Sequence, residues 1–525
     1  MTQAPSKARQ AGMLRSTMVF SAMTFLSRIA GYLRDWLQAS LFGAGPAVSA
    51  FVVAYRIPNY LRRIFAEGSF SSAFVPLLSE LKQKGDDKAL QDFLDHVAGA
   101  LLAIVVVVSG LGILLAPWVA RLFLAFAPAG TETVPLAAEM LRITFPYLTF
   151  VSMTALAGAV LNSFRQFGLP ALTPVLHNLT LIAAMLLLAG ALDVPEKALA
   201  WGVLAAGVLQ MLVLWPAMGR LGLRPKFRFN LRHPGVRRVM TLMLPTIFSS
   251  SVSQVNLLVG TVFASLLVPA AQSWLYYSDR LVELPLGLFG VAIGTVILPQ
   301  LSRLHADADT GGYSRSLDWG LRMVLLIGLP AALGLCLLAE PLTASLFRYG
   351  QFTDQDTRMV GYALVAMSVG IPAFMLSKVL LPAFYARQDT RTPMRAAVIT
   401  VVANVVLTVA LVTPLYFNDV PYAHAGIAGA TALAGILNAA LLWRYLRRDG
   451  IYRAERGWLR WLLRIAAGLV AMAAVVVVLR QWVGDWTAMA GLMRWAWLLV
   501  VVAAGAAAYG FVLVVLGLRP RHLRH

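Results

Sequence analysis

Charge is scarce in this sequence: Asp, Glu, Lys and Arg make up only 13% of the 525 residues, whereas hydrophobic residues make up 59%. A soluble chain of this length needs more charge to cover its surface. The composition therefore excludes a soluble globular protein and indicates a polytopic membrane protein. Uncharged runs at 97–120 and 495–518 support this interpretation, because each is longer than the roughly 20 residues that cross the hydrocarbon layer.

Cysteine and catalytic motifs are also scarce. The single cysteine, Cys336, excludes a disulfide framework, and its place in an apolar run is typical of a small packing residue. The sequence has no phosphate-binding loop of the Walker type, no HExxH motif and no nucleophile elbow. His177 has no His or Cys near it, so we interpret it as a hydrogen-bonded packing residue rather than a metal ligand. We therefore predict no catalytic residues, no metal and no cofactor.

Acidic residues are few beside basic ones, 24 against 44, which gives a net charge of +20. The basic residues concentrate in alternate connections between hydrophobic runs, above all at 220–238 and 444–464. By the positive-inside rule these connections and both termini are cytoplasmic. The basic excess therefore has a topological explanation, and we predict no binding of nucleic acid.

The hydrophobic runs predict fourteen transmembrane helices, an even number that leaves both termini on one side of the membrane. Their predicted centres lie near residues 28, 60, 106, 149, 180, 207, 250, 286, 328, 371, 404, 436, 471 and 506. The two halves of the chain match at a nearly constant offset, at which Pro117 corresponds to Pro341 and Pro170 corresponds to Pro393. Because this offset spans six helices, the sequence predicts two parallel six-helix repeats followed by two extra helices.

The predicted fold class is therefore an all-α polytopic membrane protein. Its two repeats form an N lobe and a C lobe around a central cationic cavity, an arrangement that suits alternating access. The predicted domains are the N lobe with helices 1–6 at 1–220, a basic cytoplasmic linker at 221–238, the C lobe with helices 7–12 at 239–447, and helices 13 and 14 at 448–525.

Charged residues interrupt three of the predicted helices. A charge at the bilayer centre costs roughly 2.5–3.5 kcal/mol on insertion scales, so it persists where it faces a water-filled cavity or binds a charged ligand. The interrupting residues are Arg28, Arg34 and Asp35 in helix 1, Arg56, Arg62, Arg63 and Glu67 in helix 2, and Asp279, Arg280 and Glu283 in helix 8.

Simpler interpretations stay open for each of these helices. In helix 1 the alternative is a neutral pair of Arg28 and Asp35, with Arg34 reaching to the membrane interface. In helix 2, Arg62 and Arg63 have the character of cytoplasmic anchors. In helix 8 the alternative is a buried structural ion pair.

The four arginines Arg28, Arg34, Arg62 and Arg280 together favour an anionic ligand. Guanidinium groups stay charged at any relevant pH, and they bind phosphate oxygens with two parallel hydrogen bonds. A pyrophosphate is the kind of anion that several arginines can share.

Three stretches are specific enough to identify a family: SRIAGYLRDWL, RIPNYLRRIFAEGSFSSAFVP and SWLYYSDRLVELPLGLFGVAIGTVILPQLS. They resemble the MurJ (MviN) family of bacterial lipid II flippases, which belongs to the superfamily of multidrug, oligosaccharidyl-lipid and polysaccharide exporters. The resemblance covers nearly the whole chain. It implies fourteen helices in two lobes around a cationic cavity, with the last two helices forming a groove for a polyprenyl tail.

The resemblance also implies a function, which is to move lipid II from the cytoplasmic to the periplasmic leaflet by alternating access, without enzymatic chemistry. Lipid II is the undecaprenyl-pyrophosphate-linked disaccharide-pentapeptide used to build peptidoglycan. The implied substrate-binding residues are Arg28, Arg34, Arg62 and Arg280, and the implied gating or supporting residues are Asp35, Arg56, Arg63, Glu67, Asp279 and Glu283. Ser49 departs from the family pattern, in which an acid is frequent at this position.

The implied location is the bacterial cytoplasmic membrane, and the implied partners are lipid II, the bilayer and other cell-wall synthesis proteins. Coupling to the membrane potential or to a monovalent cation is expected, although helix 7 offers Gln254 and Asn256 but no carboxylate. The alternatives are an exporter of another polyprenyl-linked oligosaccharide, a drug exporter, and a membrane-embedded enzyme acting on polyprenyl-pyrophosphate lipids. An arginine-lined cavity disfavours cationic drugs, and short, acid-poor outer connections disfavour the enzyme.

Overall fold

The computed structural model describes residues 7–63, 69–124 and 132–518, and within these ranges the chain is helical and contains no strand. The first nine helices are α1 (Lys7–Phe42), α2 (Pro46–Arg62), α3 (Ser69–Lys84), α4 (Asp87–Leu114), α5 (Ala116–Phe123), α6 (Thr133–Thr144), α7 (Tyr147–Ser163), α8 (Gly168–Leu188) and α9 (Lys197–Gly219). The next nine are α10 (Pro234–Ala264), α11 (Ala271–Pro285), α12 (Val291–Ala306), α13 (Thr310–Leu337), α14 (Ala339–Phe347), α15 (Asp354–Ser368), α16 (Ile371–Tyr385), α17 (Arg391–Phe417) and α18 (His424–Arg448). The last two are α19 (Trp458–Val483) and α20 (Gly491–Val515).

The predicted internal repeat is confirmed by the order and length of the helices. Helices α1–α9 recur as α10–α18, and α4 and α13 contain 28 residues each. Asp86 caps α4 by accepting hydrogen bonds from backbone N–H groups, and Asp309 caps α13 in the same way. The two caps are separated by the same offset as the matched pair Pro170 and Pro393. Helices α19 and α20 lie outside the repeat, as predicted.

Nine helices in the described part of the chain are long and apolar enough to cross a membrane, and the pair α15 and α16, bent by 45°, makes a tenth. All fourteen predicted centres lie on helical segments. Four of them, near residues 28, 60, 250 and 286, lie outside these ten spans. Three of those four belong to the charge-bearing helices 1, 2 and 8. Their charged and polar residues lower the mean hydropathy of these segments. The count of fourteen therefore stays a prediction.

The chain divides into two compact units, Met1–Gln254 and Val255–His525. The core of the first unit is built where α3, α4, α7 and α9 meet, and α1 packs on α8. Its fully buried members include Phe74, Leu94, Met153 and Val160. The division falls inside α10, whereas the sequence places the linker between lobes at 221–238. The predicted lobe boundaries stay predictions.

In the second unit, α19 and α20 pack on each other and on α13 and α14. Two glycines permit their close approach, as small residues do between membrane helices. A Cβ atom on Gly505 would lie 2.7 Å from Val476, and one on Gly468 would lie 2.9 Å from the Tyr509 ring. The extra helix pair is thus part of the second unit and shares a hydrophobic core with α13.

Candidate functional site

Arg34 is buried between α1 and α8. Its Nη2 and Nε atoms donate to Asp35 Oδ1 at 2.6 and 3.1 Å, and its Nη1 donates to Asn178 Oδ1 at 2.9 Å. Asn178 in turn donates to the backbone carbonyl of Ser27 at 3.1 Å. Each side chain of the ion pair is 8% exposed. The pair and the amide therefore fasten α1 to α8.

Arg28 lies on the same helix but is exposed. The structure thus places the two helix 1 arginines in different surroundings, and Asp35 forms an ion pair with Arg34. Their roles toward a substrate stay predictions.

Replacing Arg34 with Ala should lower the free energy of unfolding by about 3–5 kcal/mol, because it leaves the buried Asp35 carboxylate without its cation. Arg28→Ala on the same helix removes an exposed cation and should lower it by less. Denaturant unfolding in detergent measures both values. The double variant Arg34→Ala/Asp35→Asn should recover part of the lost stability. Equal stability of Arg34→Ala and Arg28→Ala would contradict this account.

Helix α2 carries further charges beside a buried proline, Pro58. Arg56 and Arg62 are half-buried, and Arg63 is exposed at the end of the helix. The Nε atom of Arg62 donates to Asn59 Oδ1 at 2.9 Å. Glu67, the predicted acid in this segment, lies outside the described residues.

Two other residues singled out in the sequence are buried in the first unit. Ser49 is fully buried near the start of α2. His177 lies between two aromatic rings, with its Nε2 atom 3.5 Å from the Tyr55 hydroxyl and its ring 5.9 Å from that of Tyr147. This placement agrees with the interpretation of His177 as a packing residue.

In the second unit, Arg280 is held in place and is still accessible. Its Nη1 donates to Glu283 Oε2 at 2.9 Å, its Nη2 lies 3.4 Å from the Tyr276 hydroxyl, and its guanidinium lies 5.0 Å from the centre of the Tyr276 ring. The side chain is 31% exposed, and that of Glu283 is 62% exposed. Asp279 beside it is half-buried. The Arg280–Glu283 pair is therefore partly exposed rather than buried.

One cation in an apolar helix was missed in the sequence. Lys378 lies in the middle of α16 and is exposed. Its backbone carbonyl packs closely on α12, where a Cβ on Gly294 would lie 2.9 Å from it. The test that singled out Arg28, a charge within an apolar run, would have found this lysine as well.

Two arginines outside the repeat bind α19 and α20 to the rest of the second unit. Arg480 donates to the carbonyl of Leu337 at 2.8 Å, at the end of α13. Arg494, which is 4% exposed, donates to the carbonyls of Ala344 and Arg348 at 3.0 and 2.9 Å, at the end of α14. Cations are stabilising at helix C-termini, where free carbonyls concentrate negative charge.

Between these helices lies an apolar cavity of about 700 Å³. Helices α13, α19 and α20 contribute most of its lining, which includes Leu326, Pro330, Met472 and Val476. Tyr509 also lines it, and its hydroxyl donates to the Leu326 carbonyl at 2.9 Å. Since this hydroxyl is already satisfied, the cavity presents a hydrocarbon surface and suits an apolar chain.

Three possible metal-ligating side chains meet in the first unit, and within the described ranges they form one such cluster: Asp92, His96 and His233. The His233 Nε2 atom lies 3.0 Å from Asp92 Oδ2, and its Nδ1 accepts from the N–H of Gly235. The His96 Nδ1 atom lies 2.8 Å from the Asp92 carbonyl. Three of the four imidazole nitrogens thus already have hydrogen-bonding partners, and we assign no metal there.

Comparison with known proteins agrees with this architecture. The family model described as lipid II flippase MurJ matches residues 38–497. A probable lipid II flippase MurJ of Vibrio cholerae serotype O1 is 41% identical over 520 residues, covering 98% of each chain. A solved structure of a lipid II flippase MurJ in an inward closed conformation has a TM-score of 0.77 and 27% identity, covering 95% of this chain and 100% of that one.

A second solved structure shows the fold alone. It is an inward-facing multidrug resistance transporter of the MATE family and MOP superfamily, with a TM-score of 0.62 and 14% identity over 83% of this chain and 98% of that one. With a match to the family model over most of its length, the chain belongs to the MurJ family of lipid II flippases, which are membrane transporters rather than enzymes.

Proposed function

We propose that this chain moves lipid II from the cytoplasmic to the periplasmic leaflet of the bacterial cytoplasmic membrane by alternating access. The observation that carries this proposal is the 41% identity to a probable lipid II flippase over 98% of both chains. No bond of the lipid is made or broken in this transport.

The pyrophosphate and sugars of the headgroup bind to Arg28, Arg62 and Arg280, which are exposed or half-buried. Arg34 belongs to the same proposed set, although its guanidinium is engaged with Asp35 and Asn178 in this structure. The other charged residues of helices 1, 2 and 8 hold these arginines or act as gates. Bidentate bonds from guanidinium groups to phosphate oxygens support the choice of arginine.

The polyprenyl tail binds in the apolar cavity lined by α13, α19 and α20. Burial of a hydrocarbon chain contributes about 0.8 kcal/mol for each methylene group that leaves water. In a membrane the tail is already out of water, so its affinity for the cavity comes from packing contacts with the lining side chains.

The proposed orientation, with both termini in the cytoplasm, is supported by the basic connections at 220–238 and 444–464 through the positive-inside rule. The membrane potential acts on an emptied cationic site with about 2.3 kcal/mol per elementary charge per 100 mV, and a monovalent cation is the other proposed driving force. Because lipid II is made on one face of the membrane and used on the other, other cell-wall synthesis proteins are the proposed partners.

Purified protein in lipid vesicles should bind lipid II, return it chemically unchanged and transfer it between leaflets. Native mass spectrometry with lipid II and competing polyprenyl lipids measures the binding, and a lipid II-cleaving enzyme outside the vesicles measures the transfer. Consumption of lipid II would indicate an enzyme, and stronger binding of another polyprenyl-linked oligosaccharide would indicate a different exporter. Either result overturns the proposal.

A further inference from the structure

Two buried aspartates occupy equivalent positions in the two repeats. Asp95 in α4 is 3% exposed and Asp318 in α13 is 1% exposed. They are separated by the same offset as the two helix caps, Asp86 and Asp309. A buried carboxylate is costly unless charged or hydrogen-bonding groups surround it, so its partners indicate what it is for.

In the first unit, Asp95 binds the backbone of the segment that follows α9. Its Oδ1 accepts from the N–H of Lys226 at 3.0 Å and from Gln91 Nε2 at 2.7 Å. Its own carbonyl accepts from the N–H of Arg228 at 3.0 Å. Gln91 also donates to the Arg224 carbonyl at 2.9 Å. Three residues of the basic linker are therefore bound to one face of α4.

The same face of α4 is shaped to receive this linker. A Cβ on Gly99, one turn after Asp95, would collide with the backbone of Arg228. The His96 ring stacks on that of His233 with their centres 4.2 Å apart. The linker thus lies against α4 before it enters α10.

In the second unit, Asp318 binds the segment that follows α18. Its Oδ1 accepts from the Tyr452 hydroxyl at 2.7 Å, from Trp458 Nε1 at 2.7 Å and from the N–H of Glu455 at 3.3 Å. Its Oδ2 lies 2.7 Å from Arg322 Nε. One carboxylate therefore joins α13 to Tyr452 and Glu455 in the connection between α18 and α19, and to Trp458 at the start of α19.

The correspondence extends to the neighbouring residues. Ser314 is the counterpart of Gln91 at the same offset, and it also binds the following segment: its Oγ accepts from the N–H of Arg453 at 2.9 Å and donates to the Arg453 carbonyl at 3.1 Å. Burial, and then the Asp318 carboxylate, raises the pKa of Tyr452. The two repeats thus share an arrangement of a helix, an aspartate and the segment after the last helix.

We propose that Asp95 and Asp318 are equivalent clasps, each holding the connection that leaves its repeat, and that Asp318 is a positioning residue for tail binding. Trp458, one of its partners, is the first residue of α19. Both α13 and α19 line the apolar cavity, so a carboxylate that joins the start of α19 to α13 sets the separation of two cavity walls. The positioning role rests on the proposed function, whereas the clasps themselves do not.

Asp95→Ala is the matched control for Asp318→Ala, because both changes remove a buried carboxylate at an equivalent position and only one lies beside α19. Hydrogen exchange of the full-length protein should show a loss of protection of about tenfold or more at 452–458 in Asp318→Ala, and at 224–228 in Asp95→Ala. Tyr452→Phe removes a single donor and should give a smaller loss at 452–458. It provides the test if Asp318→Ala fails to fold.

The positioning role is tested with undecaprenyl pyrophosphate and farnesyl pyrophosphate, which share a headgroup and differ in tail length. Asp318→Ala should lower the preference for the longer tail about tenfold, and Asp95→Ala should preserve it. Unchanged exchange at both segments would overturn the clasps. An equal loss of preference in both variants, or no tail preference in the unaltered protein, would overturn the positioning role. Absence of a tail preference in the unaltered protein would count against the proposed tail site itself. The hydrogen-exchange data would still test whether Asp95 and Asp318 hold their connections.

Discussion

Cells that depend on Arg280→Ala should expose about 10- to 100-fold less lipid II on the outer face of the membrane than cells with the unaltered protein. Charge-assisted hydrogen bonds to a phosphate contribute about 1.5–3 kcal/mol each, and the alanine variant loses all of those made by this guanidinium. The ion pair with Glu283 and the contact with Tyr276 position the guanidinium before a ligand binds. Cleavage of lipid II by an enzyme added outside the cells measures the exposure, after depletion of the cells' own flippase.

The matched control is Arg358→Ala, which removes the same charge from an exposed position on α15 in the same unit. It should leave exposure unchanged. Arg280→Lys keeps the charge but loses the planar pair of donors, and it should give an intermediate value. Normal exposure from Arg280→Ala at a normal membrane level would remove Arg280 from the proposed headgroup site.

Filling the apolar cavity should separate tail binding from headgroup binding. Gly510 lines the cavity, and a Cβ built on it meets no atom within 4 Å. Gly510→Phe therefore directs a ring from an open Cβ position into the space proposed for the tail. We expect affinity for undecaprenyl pyrophosphate to fall about tenfold or more, since a ring displaces several methylene contacts. Affinity for farnesyl pyrophosphate should change less.

Gly110→Phe is the control for this experiment, because Gly110 lies in the apolar helix α4 and also has open space around its Cβ position. Native mass spectrometry of both variants with both lipids gives the comparison. If Gly510→Phe and Gly110→Phe reduce affinity equally, or if Gly510→Phe reduces it equally for both lipids, the cavity is not the tail site.

Much of the architecture could be predicted from the sequence because membrane helices and repeats leave strong local signals. Prolines at a nearly constant offset predicted the repeat, and the aspartate caps Asp86 and Asp309 show that the equivalent helices α4 and α13 begin alike. Helices with internal charges were harder to count, since the residues that indicate function also reduce hydropathy. The number of spans therefore stays a prediction.

The partners of the charged residues could be predicted only in part. Helical spacing placed Asp35 near Arg28, yet the long side chain of Arg34 turns back to Asp35 and also reaches Asn178 on a distant helix of the same unit. Asp318 had no visible signal, because a single acid near the start of a helix resembles any solvated residue until the chain folds over it. Such contacts join segments far apart in sequence, and periodicity within one helix does not describe them.

The two arginine contacts at the ends of α13 and α14 have a mechanical consequence. Arg480 and Arg494 tie α19 and α20 to helices of the second unit, and Tyr509 adds a bond to α13 within the same group. The apolar cavity therefore moves together with this unit. On the proposed role of this cavity in tail binding, the hydrocarbon chain keeps one binding site throughout transport, and only the headgroup changes its surroundings.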